Sequence, residues 1–325
     1  MKTILCTFAT IFSVLTFGQY PPAAGQVGTT AISKDSSVII NWANSVISFN
    51  RGYLDISNPS LGFASFGDST LALGVAEGTS SDVVSLGDAG SITVTFPNPI
   101  KNGNGPDFVV FENSFNDDFL ELAHVEVSTD GIDFIRIPSI SLTQTTTQTG
   151  SFASTDPTKI HNLAGKYRQG YGTPFDLQDI VDSTNINLDS INFVKIIDVV
   201  GTINITYATY DSQGNIINDP YSTTFESGGF DLDAIGVINE NKFVNLASNP
   251  DFNFSVYPNP AQNSITIKAD LFNFIEIYSL NGKLVYSAEA KNGEIIDVSQ
   301  LKNGIYILKN TNKFRSKVQK LVIKH

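Results

Sequence analysis

Ala123-His-Val-Glu-Val-Ser-Thr-Asp-Gly-Ile-Asp-Phe-Ile-Arg-Ile137 is the stretch that decides how the body of this chain folds. Val125 and Val127 alternate with His124, Glu126 and Ser128. A period of two puts the valines on one face and the polar residues on the other, which marks a half-buried antiparallel strand. Ser128-Thr-Asp-Gly131 supplies the chemistry of a hairpin turn, and Asp133 to Ile137 resumes as the returning strand.

The same signal recurs along the body. Further strand candidates are Ser37–Trp42, Gly90–Phe96, Asp107–Glu112, Asn192–Asp198 and Phe230–Ile238. In Gly90–Phe96, Ile92, Val94 and Phe96 share a face opposite Thr93 and Thr95. Helical periodicity is rare, and β-branched, aromatic and turn-forming residues are common, as expected of an all-β chain. Many short antiparallel strands without a βαβ rhythm predict a jelly-roll-like β-sandwich. Two connections, Ser139 to Gln169 and Thr202 to Gly229, are long for a compact domain, and loops of that length tend to be functional or disordered. Gly228-Gly229 predicts a close backbone approach or a bulge.

A second module follows. Short apolar runs at Ser264–Lys268, Phe274–Tyr278, Lys283–Tyr286, Gly304–Lys309 and Lys317–Ile323 are separated by turn signals that include Asn281-Gly282, Asn292-Gly293 and Asn303-Gly304. Asn-Gly between apolar runs is a strong hairpin signal. A small Ig-like β-sandwich is expected here. Charge divides with the modules: residues 1–252 carry a net −17 and residues 253–325 a net +5, for −12 overall. An acidic body is a poor partner for nucleic acid, which needs a positive field.

The front end predicts export. Met1-Lys2 supplies a positive start, and Ile4 to Phe17 is an apolar run too short to span a bilayer comfortably. Cleavage is expected after Gly18, so the domains are 1–18 signal peptide, 19–249 sandwich body and 250–325 C-terminal module. No other segment predicts a transmembrane helix. The only cysteine, Cys6, lies in the signal peptide, which leaves the mature body without disulfide, thiolate ligand or cysteine nucleophile.

Val256-Tyr-Pro-Asn-Pro260, Ile277-Tyr-Ser-Leu-Asn-Gly-Lys283 and Leu301-Lys-Asn-Gly-Ile-Tyr306 together resemble the type A sorting domain of the type IX secretion system of Bacteroidota. The resemblance implies passage through that machinery and attachment at the cell surface. In the body, Leu86–Phe96 and Val125–Phe134 look like pieces of a discoidin-type or carbohydrate-binding-module jelly roll. Asp107–Asn113, His161–Lys166, Tyr171–Leu177 and Gly228–Val237 resemble a group of uncharacterised bacterial cell surface proteins. Some proteins of that general kind accompany nutrient capture, corrinoid capture included.

Candidate chemistry lies in two places. Asp231 and Asp233 alternate with Leu232 and Ala234, while Glu112 and Asn113 end another strand. Oxygen ligands converging from strand ends are what Ca²⁺ requires, so Glu112, Asn113, Asp231 and Asp233 form a candidate structural calcium site. The alternative is that these acids are solvated or bond to neighbouring turns. Asp211 to Asp219 is a second oxygen-rich loop, without EF-hand spacing. The long loops also carry aromatics: Tyr167, Arg168, Tyr171 and Phe175 in the first region, Tyr207, Tyr210, Tyr221 and Phe225 in the second. Rings with polar handles suit a sugar or a flat macrocycle, and His161 could join them; the alternative is that the rings pin the loops to the sandwich. No zinc spacing or nucleophile elbow is present.

Three functions remain open from sequence. The first is a non-enzymatic binding protein for a glycan or other small extracellular ligand, with corrinoids among the candidates. The second is a glycan-active hydrolase with a facing carboxylate pair. The third is an adhesin or matrix protein with flat polar loops.

Overall fold

The computed structural model describes residues 19–241, 254–269, 273–311 and 316–325. The expected signal peptide, residues 1–18, and the expected junction between Asn249 and Pro250 lie outside the described residues. The chain divides into two compact units, 1–242 and 243–325.

Two antiparallel sheets build the first unit. One runs in the order Ile32–Ser33, Tyr171–Phe175, Phe108–Glu112, Asp231–Val237, Asn41–Trp42, with Val84–Ser85 also pairing Asp231–Val237. The other runs Ser45–Asn50, Ser91–Ile100, Ile191–Asp198, Ala123–Ser128, Ile135–Arg136. From Asn41–Trp42 to Asp231–Val237 the chain mostly alternates between the sheets, so neighbours in space are distant in sequence. The inner four-strand runs of the two sheets have the order of a jelly roll. The remaining strands, Ile32–Ser33 and Ser45–Asn50, extend one edge of each sheet.

Alternation dictates the core. Ile92 and Val94, Val125 and Val127, Val194 and Ile196 point inward from one sheet, against Phe108, Val110, Leu232, Ile235 and Val237 from the other. Each such side chain contributes about 1.5–3 kcal/mol by leaving water. The Ser128–Gly131 turn forms as its residues predict: Ser128 Oγ accepts from Gly131 N, Gly131 takes φ +79°, and Val127 pairs with Ile135.

The polar face of Ala123–Ser128 is less open than its alternation predicts. His124 is buried because residues of the two long connections fold over it: Ser139 Oγ lies 3.5 Å from its Nδ1. Burial brings its pKa down to about 4. The long connections themselves are laced together. Asn218 holds Thr149 N, Gln144 O and Thr147 O; Ser141 N donates to Asp211 Oδ2, and Tyr221 N to Thr149 O. Gly228 is the close approach expected: a Cβ there would run into the Thr223 carbonyl oxygen.

The second unit pairs a three-stranded sheet (Phe254–Tyr257, Ser264–Ala269, Ile295–Asp297) with a four-stranded one (Leu284–Ala290, Asn273–Ser279, Gly304–Thr311, Ser316–Ile323). Ile265, Ile267, Ile275, Ile277, Leu308 and Leu321 form its core. Among the described residues no helix is long and apolar enough to cross a membrane.

Candidate functional site

Five buried acids of the body gather at one end of the jelly roll. Antiparallel pairing brings the end of Phe108–Glu112 beside the start of Asp231–Val237, with Glu112 opposite Leu232. In the facing sheet it brings Asp198 opposite Ala123. Glu112, Glu121, Asp198 and Asp231 therefore lie where both sheets finish, and Asp219 joins them from the long loop. All are buried.

Most of the buried carboxylates satisfy backbone amides that the sheets leave free. Asp198 accepts from Phe230 N and Ala89 N, Asp219 from Leu122 N, Asp107 from Gly103 N and Leu177 N, and Asp88 from Ile56 N. Their role is structural. Burial still outweighs these bonds and raises their pKa values, that of Asp88 to about 7.

Glu112, Glu121 and Asp231 differ. Glu112 Oε2 accepts from Ser114 N at 2.8 Å, while its Oε1 has no partner. Asp231 Oδ2 accepts from Asn113 Nδ2 at 2.9 Å, while its Oδ1 has none. Ser85, opposite Asp231 in the sheet, lowers the Asp231 pKa but falls short of a hydrogen bond. Burial pushes the Asp231 carboxyl up to about 7. Burial, then the charges of Asp231 and Glu112, push Glu121 well above the usual carboxylate range; Glu112 is raised by burial and by Asp231.

Glu121 and Asp231 form part of the lining of a cavity of about 210 Å³. Phe115, Phe119, Phe152 and Phe225 supply its apolar lining, and Ser80, Asn113, Ser151, Thr223 and Ser227 the rest. The rings follow one another, with centroids 4.7 Å apart for Phe115–Phe119, 6.1 Å for Phe119–Phe152 and 5.5 Å for Phe152–Phe225. Phe152 is 70% exposed, Phe115 58% and Phe225 45%. The loop after Phe108–Glu112 holds the first two rings. Ser114 Oγ bonds the Phe119 carbonyl, and Asn116 Oδ1 accepts from Phe119 N. The two long connections bring Phe152 and Phe225.

The expected calcium ligands are only partly together. Glu112, Asn113 and Asp231 converge; Asp233 does not. A bulge separates Leu232 from Ala234, and both Asp233 oxygens accept from backbone N–H, of Glu77 at 3.0 Å and Gly78 at 2.9 Å. Among the described residues no group of three or more acidic, histidine or cysteine side chains is placed to hold a metal ion. The cluster as it stands is short of the six to eight oxygens that calcium takes. Asp211 is occupied as a turn anchor, accepting from Ser141 N, Gln213 N and Asn215 N.

Of the expected ligand-binding residues, Phe225 is in the cavity. Tyr167 is buried with its hydroxyl on Thr30, and Phe175 stacks on Phe108 in the core. Arg168 pairs with Asp117 and covers the Tyr171 ring. The Tyr221 hydroxyl donates to Asp55 at 2.7 Å. Tyr207 is half-buried and Tyr210 exposed, and neither lines this cavity. His161 lines a separate cavity of about 530 Å³, where it stacks on Tyr20 at 4.9 Å. Sequence reasoning passed over Phe115, Phe119 and Phe152. Their signal was available: large apolar residues in otherwise polar loops.

Residues 255–324 match the secretion system C-terminal sorting domain. The C-terminal unit is thus a type IX sorting domain, and the protein is exported and attached at the outer-membrane surface. Among curated proteins none matches the chain. Among solved structures, a β-glucuronidase from Ruminococcus gnavus in complex with uronic isofagomine is 13% identical, with a TM-score of 0.22, over 89% of this chain and 44% of that one. The BSP domain of a biofilm-associated protein is 10% identical, with a TM-score of 0.22, over 72% of this chain and 48% of its own. The chain spans less than half of either, and likeness at that level assigns neither its fold nor its activity.

Proposed function

We propose that the exported body is a binding protein, and that its ligand, a small extracellular molecule with glycans among the candidates, enters the cavity between Phe115, Phe119, Phe152 and Phe225 and engages Glu121 and Asp231. The observation that carries this reading is one cavity lined both by Asp231, a buried carboxyl whose Oδ1 has no partner, and by the exposed rings of Phe115, Phe152 and Phe225. A buried polar atom without a hydrogen bond costs about 1–3 kcal/mol, and exposed phenyl rings gain nothing from water. A ligand that presents a polar group to the carboxyls and an apolar face to the rings relieves both. A cavity of about 210 Å³ suits a single ring or a comparably small group.

The test is calorimetric titration of the exported protein with a panel of monosaccharides and small organic ions, repeated with Phe152→Ala. Binding that weakens at least tenfold in the variant supports the reading; binding indifferent to Phe152→Ala contradicts it.

One observation favours hydrolysis as a second reading: two carboxyl groups, Glu121 and Asp231, line one recess. A glycosidase uses such a pair as acid and base or nucleophile. Turnover of aryl glycosides that disappears in Glu121→Gln would support it, and stable binding without turnover would exclude it.

A further inference from the structure

The cavity has a one-sided chemistry. Four of its lining residues are phenylalanines whose rings pack on one another in a row, its acids are Glu121 and Asp231, and the rest of its lining is hydroxyl and amide, with no lysine, arginine or histidine among the described residues. A phenyl face carries negative potential, and so does a carboxylate. Glu112, at the end of the neighbouring strand, adds a third acid whose Oε1 is also unpartnered. The cation that reaches toward Asp231 from outside, Arg51, is already committed: its guanidinium donates to the carbonyls of Phe66, Ser85 and Gly67.

We propose that the ligand of this cavity carries an organic ammonium group, which sits against the Phe115, Phe119, Phe152 and Phe225 rings and pairs with Asp231 and Glu121. The proposal rests on the binding reading above and specifies the charge of the ligand. Rings attract a desolvated cation, and the ammonium supplies the positive counter-charge that the cavity lining lacks. A neutral ligand of the same shape leaves the acids crowded and unpaired. A metal ion would use the carboxylates but not the rings.

Ammonium binding needs Asp231 ionised. The charged groups facing Asp231 are Glu112 on the adjacent strand, Glu121 ahead of the Ala123–Ser128 strand, and Arg51 after the Ser45–Asn50 strand. Asp198 and Asp219 add negative charge beside Glu121. Binding a cation among these groups therefore expels a proton, and affinity rises with pH across the range where Asp231, near 7, ionises.

The experiment titrates the exported protein with choline and butylammonium, against neutral 3,3-dimethylbutanol, methyl glucoside and calcium, at pH 6 and pH 8. The proposal expects choline or butylammonium to bind at least tenfold more tightly than the neutral isostere. It also expects several-fold tighter binding at pH 8 than at pH 6. Phe152→Ala, at an exposed position, should weaken the ammonium without unfolding the protein, and Asp231→Asn should reduce the pH dependence, leaving the share that Glu121 carries. Binding of methyl glucoside or dimethylbutanol without ammonium preference overturns the ammonium proposal and leaves the binding reading standing. Binding of calcium alone overturns it in favour of a metal site. If no probe binds, the ammonium proposal is overturned; if the wider panel also fails, so is the binding reading.

Discussion

Asn113 Nδ2 donates to Asp231 Oδ2 at 2.9 Å, from the end of one strand to the start of its neighbour, and the other Asp231 oxygen is left without a partner. One bond thus fixes the carboxyl while leaving half of it unused. Its burial is costly, and the cost depends on pH.

The first prediction follows from that dependence. The folded-state pKa of Asp231 is raised from its ordinary value of 3.8 to about 7. Between those values the folded state binds the proton and the unfolded state does not, so stability from this group is full below about pH 4 and is lost as pH rises through 7. Asp231→Asn removes the loss. The variant should melt several degrees above the parent at pH 8, with the gap narrowing below pH 7 and closing by about pH 4, and differential scanning calorimetry at pH 8 and pH 4 measures it. The full effect is up to about 4 kcal/mol, since one pKa unit is 1.36 kcal/mol. Buried His124 has the opposite sign, its stability falling as pH drops from 6.5 toward 4, but it contributes equally to parent and variant. A gap that does not change with pH contradicts the assignment.

Phe152 and Phe225 separate binding from folding. Phe152 is mostly in water, so Phe152→Ala should change stability by no more than about 0.5 kcal/mol. Ligand affinity should fall at least tenfold. Chemical denaturation and titration of the same sample report the two quantities. A large loss of stability would mean that the ring is structural.

Asp233 tests the division among the acids. Its oxygens hold Glu77 N and Gly78 N, so Asp233→Ala should destabilise the body by about 1–3 kcal/mol through the orphaned amides. The loss should be the same in calcium and in chelator. A loss seen only in calcium would restore Asp233 as a metal ligand.

The C-terminal unit carries the export signal. A chain ending at residue 249 should accumulate in the periplasm, where the full chain reaches the surface. Fractionation with surface protease digestion distinguishes the two, and surface exposure of the truncated chain would contradict it.

Much of the architecture was legible from alternation. Val125 and Val127, and Ile92 and Val94, name the core face of their strands because a sheet side chain has only two directions to take. In the sorting domain Asn281-Gly282 joins the paired strands Asn273–Ser279 and Leu284–Ala290 as expected, whereas Asn292-Gly293 and Asn303-Gly304 lie between strands of different sheets and close no hairpin. The candidate site was legible only in part. Glu112, Asn113 and Asp231 were expected together and are, because neighbouring antiparallel strands place end beside start. Asp233 misled because a bulge breaks the period of two between Leu232 and Ala234. Glu121 and Phe152 could not be joined to that group from sequence. Their meeting depends on which loops fold over which sheet end, and side-chain bonds such as those of Asn218 decide that. Tyr167 and Phe175 show the limit of reading aromatics alone: a ring that pins a loop and a ring that meets a ligand look alike until burial is known.

The most direct test is a crystal structure of the exported protein soaked with choline. The account predicts density for the ammonium against the Phe152 and Phe225 rings, within ion-pair distance of Asp231, and its loss in Phe152→Ala crystals. A clear cavity at saturating choline and, in a second crystal, at saturating butylammonium, or density confined to the recess beside His161 and Tyr20, would contradict it.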